Sequence, residues 1–176
     1  MPALTTAFRD DLSVDTEFIG RHSQWLIENG CTGIVALGSL GESATLTIPE
    51  KLQILKTCVK AVGSRAPVVA GISALSTREA VGLAEAAEAA GCSGLMVLAP
   101  YVYPGDWRET KAHVAAVLGA TKLSCMLYNN PIAYKVDFIV DQVKELSEEN
   151  ENLNAIKESS ACLLYTSDAA DDLTRV

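Results

Sequence analysis

Six short apolar runs recur along this chain at intervals of about 30 residues, and that period limits the possible fold more than any other feature. The runs are Ala3 to Thr6, Gly33 to Leu37, Pro67 to Ala70, Gly94 to Leu98, Leu123 to Leu127 and Leu153 to Lys157. Amphipathic stretches of helical period lie between them: Asp15 to Asn29, Pro49 to Val62, Thr77 to Ala90, Asp106 to Leu118 and Val136 to Leu146. Thr47 ahead of Pro49 and Glu50 predicts a capped helix start, and Gly63, Gly91 and Gly119 predict left-handed helix ends. Strands that are apolar on both faces and joined by helices form a parallel sheet with right-handed crossovers. An open doubly wound sheet and a (β/α) barrel both satisfy this pattern. A dinucleotide-binding open sheet needs a Gly-x-Gly-x-x-Gly turn after its first strand, and no run here is followed by one. The barrel is therefore expected, with its chemistry on the loops that follow the strands.

Composition narrows the partners. The formal charge of -8 argues against nucleic acid or an anionic membrane, since both would be repelled. Hydrophobic residues make up 49% of the 176 residues and aromatic residues only 6%, as suits a cytoplasmic α/β protein. The five cysteines, Cys31, Cys58, Cys92, Cys125 and Cys162, are widely spaced and mostly set in apolar segments, so they read as reduced, buried thiols. His22 and His113 stand far apart with no zinc-binding spacing around them, and neither a metal site nor a cofactor is expected. No apolar stretch approaches the roughly 20 residues of a membrane helix, and no basic region leads into a hydrophobic run at the start. The chain is expected to be neither exported nor inserted.

Three motifs fall at predicted strand ends. Lys157 closes the segment Leu153-Asn154-Ala155-Ile156 and precedes Glu158-Ser159-Ser160. An unperturbed lysine titrates near about 10.4, so a nucleophilic amine at neutral pH needs burial, which the end of a buried strand would supply. Gly38-Ser39-Leu40-Gly41-Glu42-Ser43 follows the second run. Its two glycines permit a tight turn whose N–H groups can face a carboxylate, with the Ser39 hydroxyl beside them. Tyr128-Asn129-Asn130-Pro131 follows the fifth run and puts a phenol able to shuttle protons at a strand end before a sharp turn. Taken singly, each motif has an ordinary structural explanation: a solvated lysine, a plain turn, a rim tyrosine. Together they would face one mouth of a barrel.

With these motifs, and with Pro2-Ala3-Leu4-Thr5-Thr6 at the start, the chain resembles the dihydrodipicolinate synthase and N-acetylneuraminate lyase family of class I, Schiff-base-forming (β/α)8 barrels. The likeness runs from about Pro2 to Ser160. The resemblance implies that Lys157 forms an imine with a 2-oxo acid or related cyclic imino acid and that Tyr128 relays protons. It further implies that Gly38, Ser39, Leu40 and Gly41 bind the substrate carboxylate, with Asn130 also among the substrate-binding residues and Glu42 bracing the loop. It also implies a homotetrameric complete enzyme.

Three positions depart from the synthases of that family. They carry two consecutive threonines where this chain has Ser39 and Leu40. They place a tyrosine directly after the counterpart of Pro100-Tyr101, whereas Val102 follows here and Tyr103 comes one residue late. They hold an arginine soon after the fifth-strand tyrosine, and Asn130-Pro131-Ile132-Ala133-Tyr134 offers no cation. These departures point toward deamination or dehydration, as in 1-pyrroline-4-hydroxy-2-carboxylate deaminase or 2-keto-3-deoxy sugar acid dehydratases. Dihydrodipicolinate synthesis and pyruvate-releasing aldol cleavage are the alternatives. The runs account for about six βα units where the family barrel has eight. Residues 1–160 are therefore expected to form a partial barrel, and residues 161–176 to be a non-family tail of sequencing or assembly origin. On that expectation the chain itself could be a non-catalytic fragment of such an enzyme.

Overall fold

The computed structural model describes residues 1–103 and 105–161. Five parallel strands stand in sequence order: β1 (Ile34–Ala36), β2 (Val68–Ile72), β3 (Gly94–Leu98), β4 (Ser124–Asn129) and β5 (Leu153–Glu158). Helices α1 (Thr16–Glu28), α2 (Ile48–Val62), α3 (Thr77–Ala89), α4 (Trp107–Gly119) and α6 (Val140–Glu149) alternate with them, and a single turn, α5 (Pro131–Tyr134), follows β4. An open doubly wound sheet reverses its strand order at a switch point. Here each strand pairs with its sequence neighbours, as in an arc of a (β/α)8 barrel.

Residues alternate across the sheet. Ile34, Ala36, Val68, Ala70, Ile72, Leu95, Val97, Cys125 and Leu127 face the helices and form the main core with Ile19, Ile54, Leu55, Leu83, Val114, Leu118 and Leu146. Val35, Met96, Leu98 and Tyr128 form a second, smaller cluster on the opposite face, with Val69, Met126 and Tyr134 packed against it. The strands are thus apolar on both faces, one covered by helices and the other by the sheet's own side chains.

Local chemistry sets most boundaries. Asp15 caps α1 by accepting from Phe18 N at 2.9 Å. At α2 the Glu50 carboxylate accepts from Thr47 N and Thr47 Oγ1 at 2.8 and 2.7 Å, so the expected cap is present. Gly91, at φ 89°, follows α3 in the left-handed region as its position predicts. Gly119 does not: it is the last residue of α4, and Ala120 caps that helix with an ordinary right-handed backbone.

Two further expectations are corrected. Ala3 to Thr6 does not form a strand; only Ala3 bridges Val35, through Leu4 N to Val35 O at 2.8 Å and Val35 N to Pro2 O at 2.9 Å. Beyond Leu4 the chain turns to the loop after β1, where Thr6 Oγ1 donates to Gly41 O at 2.6 Å. Five strands, rather than six, therefore make up the sheet among the described residues. Val136 to Ile139 is not helical either, because Asn129 claims it: Asn129 Nδ2 donates to Asp137 Oδ1 at 2.9 Å, and Asn129 Oδ1 accepts from Phe138 N at 3.1 Å. Helix α6 starts only at Val140.

Cys58, Cys92 and Cys125 are buried and unpaired, and Cys31 is half-buried. Burial pushes their thiols up, to about 11 for Cys58, about 12 for Cys92 and about 11 for Cys125, so all three stay protonated packing groups. Among the described residues no helix is long and apolar enough to cross a membrane. Residues 162–176, including Cys162 and nearly all of the segment set apart above, lie outside the described residues.

Glycine is required at position 71 by crowding. A Cβ there would collide with the backbone of Leu37 and Gly38, so Gly71→Ala should lower stability by about 1–3 kcal/mol. Gly82 is exposed within α3 with no heavy atom near its missing Cβ, so Gly82→Ala should raise stability by about 1 kcal/mol. Denaturant melts of the two variants should move in opposite directions.

Candidate active site

Two left-handed residues frame the turn that follows β1. Leu37 has φ 61° and Glu42 has φ 55°. A left-handed backbone costs a non-glycine residue about 1–2 kcal/mol, and full burial of a leucine returns about 1.5–3 kcal/mol. Leu37 is 1% exposed, so its burial offsets its strain and holds the chain in that bend. Between them Ser39–Gly41 makes one 3-10 turn, with Gly41 N bonded to Gly38 O at 3.0 Å and Glu42 N to Ser39 O at 3.1 Å. Gly38 and Gly41 are buried; a Cβ on Gly41 would come within 2.9 Å of Leu4 O. Leu40 stands 68% exposed, outside both apolar clusters. Glu42 braces the loop through its backbone, its carbonyl accepting from Thr45 N and Thr45 Oγ1, both at 2.9 Å.

Tyr128 and Lys157 are register partners on β4 and β5, and Lys157 Nζ lies 4.1 Å from the Tyr128 ring centroid, a cation–π contact. That pairing depends on a bulge. Cys125 pairs with Leu153 but Met126 pairs with Ala155, so Asn154 is the extra residue. If Asn154 paired in the ladder instead of bulging out, Tyr128 would sit opposite Ile156, and Lys157 would project to the other face. Asn154 is tied down by Ser124 Oγ, which donates to its Oδ1 at 2.8 Å.

The expected burial of the lysine strand is only partly met. Leu153 is buried, but Asn154, Ala155 and Ile156 are exposed and Lys157 is half-buried. The cause is position: β5 pairs with β4 alone and forms the edge of the sheet among the described residues.

Tyr128 is 6% exposed. Its hydroxyl accepts from Asn130 Nδ2 at 2.9 Å, while Asn130 Oδ1 accepts from Ala133 N at 3.1 Å and caps α5. Asn130 thus has both polar ends engaged within the protein and acts as a bracket for Tyr128. Burial pushes the phenol upward, but the Asn130 amide, the Ser159 hydroxyl, the Lys157 charge and the Ser39 hydroxyl outweigh it and hold the phenol below its ordinary range. A second bracket joins the same strand ends: Asn129 is 2% exposed, its Nδ2 also donates to Glu158 Oε2 at 3.0 Å, and its carbonyl accepts from Ser159 N at 2.9 Å.

Sequence reasoning did not identify Tyr134 as a site residue. Its hydroxyl is hydrogen-bonded to Ser39 Oγ, and its ring lies edge-on to Tyr128 with centroids 6.1 Å apart. Tyr101 packs on its other side at 5.9 Å. The available signal was Asn130-Pro131, which serves as N-cap and first residue of a one-turn helix that carries Tyr134 back over Tyr128. Tyr103 is 82% exposed and Val102 is 54% exposed, so neither joins this aromatic group. Among the described residues no three His, Cys, Asp or Glu side chains gather as metal ligands would. A primary amine against a phenol with a loosened proton can form an imine at a carbonyl carbon and move protons beside it.

Comparison with known proteins shows the family and the fold. The Dihydrodipicolinate synthetase family model matches residues 1–172. A 4-hydroxy-tetrahydrodipicolinate synthase from Chelativorans sp. is 37% identical over 161 residues, 92% of this chain and 55% of the relative. The crystal structure of dihydrodipicolinate synthase from Aquifex aeolicus superposes with a TM-score of 0.88 at 32% identity, over 93% of this chain and 55% of that one. A prophage protein of the dihydrodipicolinic acid synthase family from E. coli, solved in complex with pyruvate, gives a TM-score of 0.89 at 28% identity, over 93% and 55% of the two chains. The chain spans about half the length of the curated relatives it matches.

The Asn129 bracket has an acid signature. Burial alone would raise the Glu158 carboxyl, but the Asn129 and Ser160 hydrogen bonds hold it below its ordinary 4.5. A depressed carboxylate stabilises the fold above its unfolded pKa, and that contribution is lost as pH falls through the folded value. Denaturant midpoints followed from neutral pH to below 4.5 should fall less steeply in Glu158→Gln than in the unaltered chain.

Proposed function

The chain belongs to the dihydrodipicolinate synthetase family, and we propose that it carries the imine-forming half of a class I Schiff-base lyase acting on a small 2-oxo acid or cyclic imino acid. The observation that carries this reading is the pairing of Lys157 with Tyr128 across β4 and β5, with the amine 4.1 Å from the ring centroid. Lys157 Nζ attacks the C2 carbonyl, and the carbinolamine hydroxyl leaves as water with the proton of the Tyr128 phenol, so that a protonated imine and a Tyr128 phenolate result. That imine draws electrons more strongly than the ketone, so a C3 proton passes to the phenolate and an enamine forms. The turn's own bonds occupy the N–H groups of Gly41 and Glu42. The N–H groups of Ser39 and Leu40 are then the backbone donors for the substrate carboxylate, together with the Ser39 hydroxyl; the exposed Leu40 side chain has no part in this.

From the enamine the chemistry branches. Residues 130–134 offer no cation to grip a second carboxylate, and Tyr103 stands out in solvent. Both features favour expulsion of an amine or hydroxyl from a single substrate, with Tyr128 returning the proton to the leaving group, as in a deaminase or dehydratase. The relatives' names favour a second reading, condensation by a 4-hydroxy-tetrahydrodipicolinate synthase. Ammonia release, water-loss products and consumption of an aldehyde partner distinguish the branches.

Borohydride reduction in the presence of pyruvate should leave a reduced adduct on Lys157, located by peptide mass spectrometry. Lys157→Ala and Lys157→Arg should abolish it, whereas Tyr128→Phe should keep some adduct and slow C3 proton exchange about 100-fold. No adduct with any 2-oxo acid would sink the imine reading. Deletion of Asn154 is a separate check on register: it removes the bulge but leaves Met126 opposite Ala155 and Tyr128 opposite Lys157, so the adduct should persist, whereas an alanine inserted between Ala155 and Ile156 should remove it.

A further inference from the structure

Lys157 stands on an edge strand, and its amine rests on the Tyr128 ring 4.1 Å from the centroid. Where the amine lies therefore follows from where β5 holds its own backbone. Among the described residues the ladder supports that strand from one side only, the side of β4. A second hold comes from behind. Side chains alternate across a strand, so Asn129 and Glu158, one step beyond the Tyr128 and Lys157 pair, point away from it toward the helices, as Leu127 does.

Asn129 is 2% exposed and uses both ends of its amide there. Its Oδ1 accepts from Phe138 N at 3.1 Å, and the Phe138 side chain is buried in the main core. Its Nδ2 donates to Glu158 Oε2 at 3.0 Å and to Asp137 Oδ1 at 2.9 Å. The other Glu158 oxygen accepts from Ser160 N at 2.8 Å, and Asn129 O accepts from Ser159 N at 2.9 Å. The three residues after the lysine are thus tied to one buried side chain and its carbonyl: Glu158 and Ser159 directly, Ser160 through the Glu158 carboxylate. Hydrogen bonds to a carboxylate are among the stronger ones a strand end can make.

We propose that Asn129 is a positioning residue for Lys157: it carries the fixed position of Phe138 across the strand ends to Glu158, and so holds the lysine amine over the Tyr128 ring. The inference rests on the reading of Lys157 as the imine-forming amine. Position 129 needs one acceptor toward Phe138 N and one donor toward the Glu158 carboxylate, a demand that asparagine meets and that alanine and aspartate do not.

Nuclear magnetic resonance of the 176-residue chain carrying carbon-labelled lysine reads the position of the amine without turnover. The Tyr128 ring current should place one lysine ε-methylene signal upfield of the others, and Lys157→Ala should remove it. Asn129→Ala should return that signal to the position of the other lysines. In the same variant borohydride trapping of saturating pyruvate should slow about tenfold, with the half-saturating concentration unchanged because the carboxylate donors lie on the turn after β1. Asn129→Asp sets two carboxylates against each other and should behave in the same way. Adding Glu158→Gln to Asn129→Asp exchanges donor and acceptor while keeping an acceptor for Phe138 N and one for Ser160 N, and it should restore both the signal and the rate. Leu55→Ala, a core truncation on α2, should lower stability and leave the Lys157 signal in place, which separates positioning from stability. Absence of an upfield signal in the unaltered chain overturns the proposal. A signal that stays upfield in folded Asn129→Ala, or stays lost when Glu158→Gln joins Asn129→Asp, does the same. Failure to trap any 2-oxo acid beside an intact upfield signal counts against the imine reading alone.

Discussion

The arrangement of the strand ends depends on one residue bulging out of one ladder. In a parallel pair each side chain takes its height and its face from its partner, and a slip of one position reverses the face. Asn154 introduces that slip between β4 and β5, and from there on the pairing runs Met126 with Ala155, Leu127 with Ile156 and Tyr128 with Lys157. The amine and the phenol share a face because of it. Glu158 gains by the same step, arriving opposite Asn129, whose buried amide ties both strand ends to the start of the loop before α6.

The surrounding shell is built for fixed geometry. Leu37 accepts a left-handed backbone because its side chain is fully buried, and Gly71 lacks a Cβ because the Leu37 backbone occupies that space. The Gly38 to Gly41 turn is then pinned from above by Thr6 and from the side by Tyr134. Asn130 adds a further constraint by spending one end of its amide on a helix and the other on a phenol. Groups held in this way spend little reorganisation when charge develops beside them.

Periodicity made the architecture legible, because a parallel sheet needs apolar residues on both faces of every strand and the runs from Gly33 onward supply them. Lys157, Tyr128 and Ser39 were legible as strand-end residues for the same reason. What could not be read was governed by pairing and by distant partners. Ala3 to Thr6 is composed like a strand but leaves the ladder after Leu4 to strap the Gly-rich turn. Val136 to Ile139 has helical composition but is held by Asn129. The two hydrogen bonds of the Asn130 amide, to the Tyr128 hydroxyl and from Ala133 N, depend on where a one-turn helix places its partners. Tyr134 acquires its place only because a one-turn helix folds back over β4, and no periodicity reports a single turn. Lys157 is less buried than its apolar neighbours suggest, since composition does not say which strand is the edge.

The sequential strand order bears on how such a chain assembles. Every ladder joins residues only about 30 positions apart, so each closure costs nearly the same loop entropy and none waits for a distant segment. Folding can then advance as the chain leaves the ribosome, each strand docking on one already in place, with the lysine strand joining after the four described strands that precede it and Asn154 setting its register at that stage. A misregistered lysine strand would leave the earlier ladders intact, making its correction a local event beside four strands already paired.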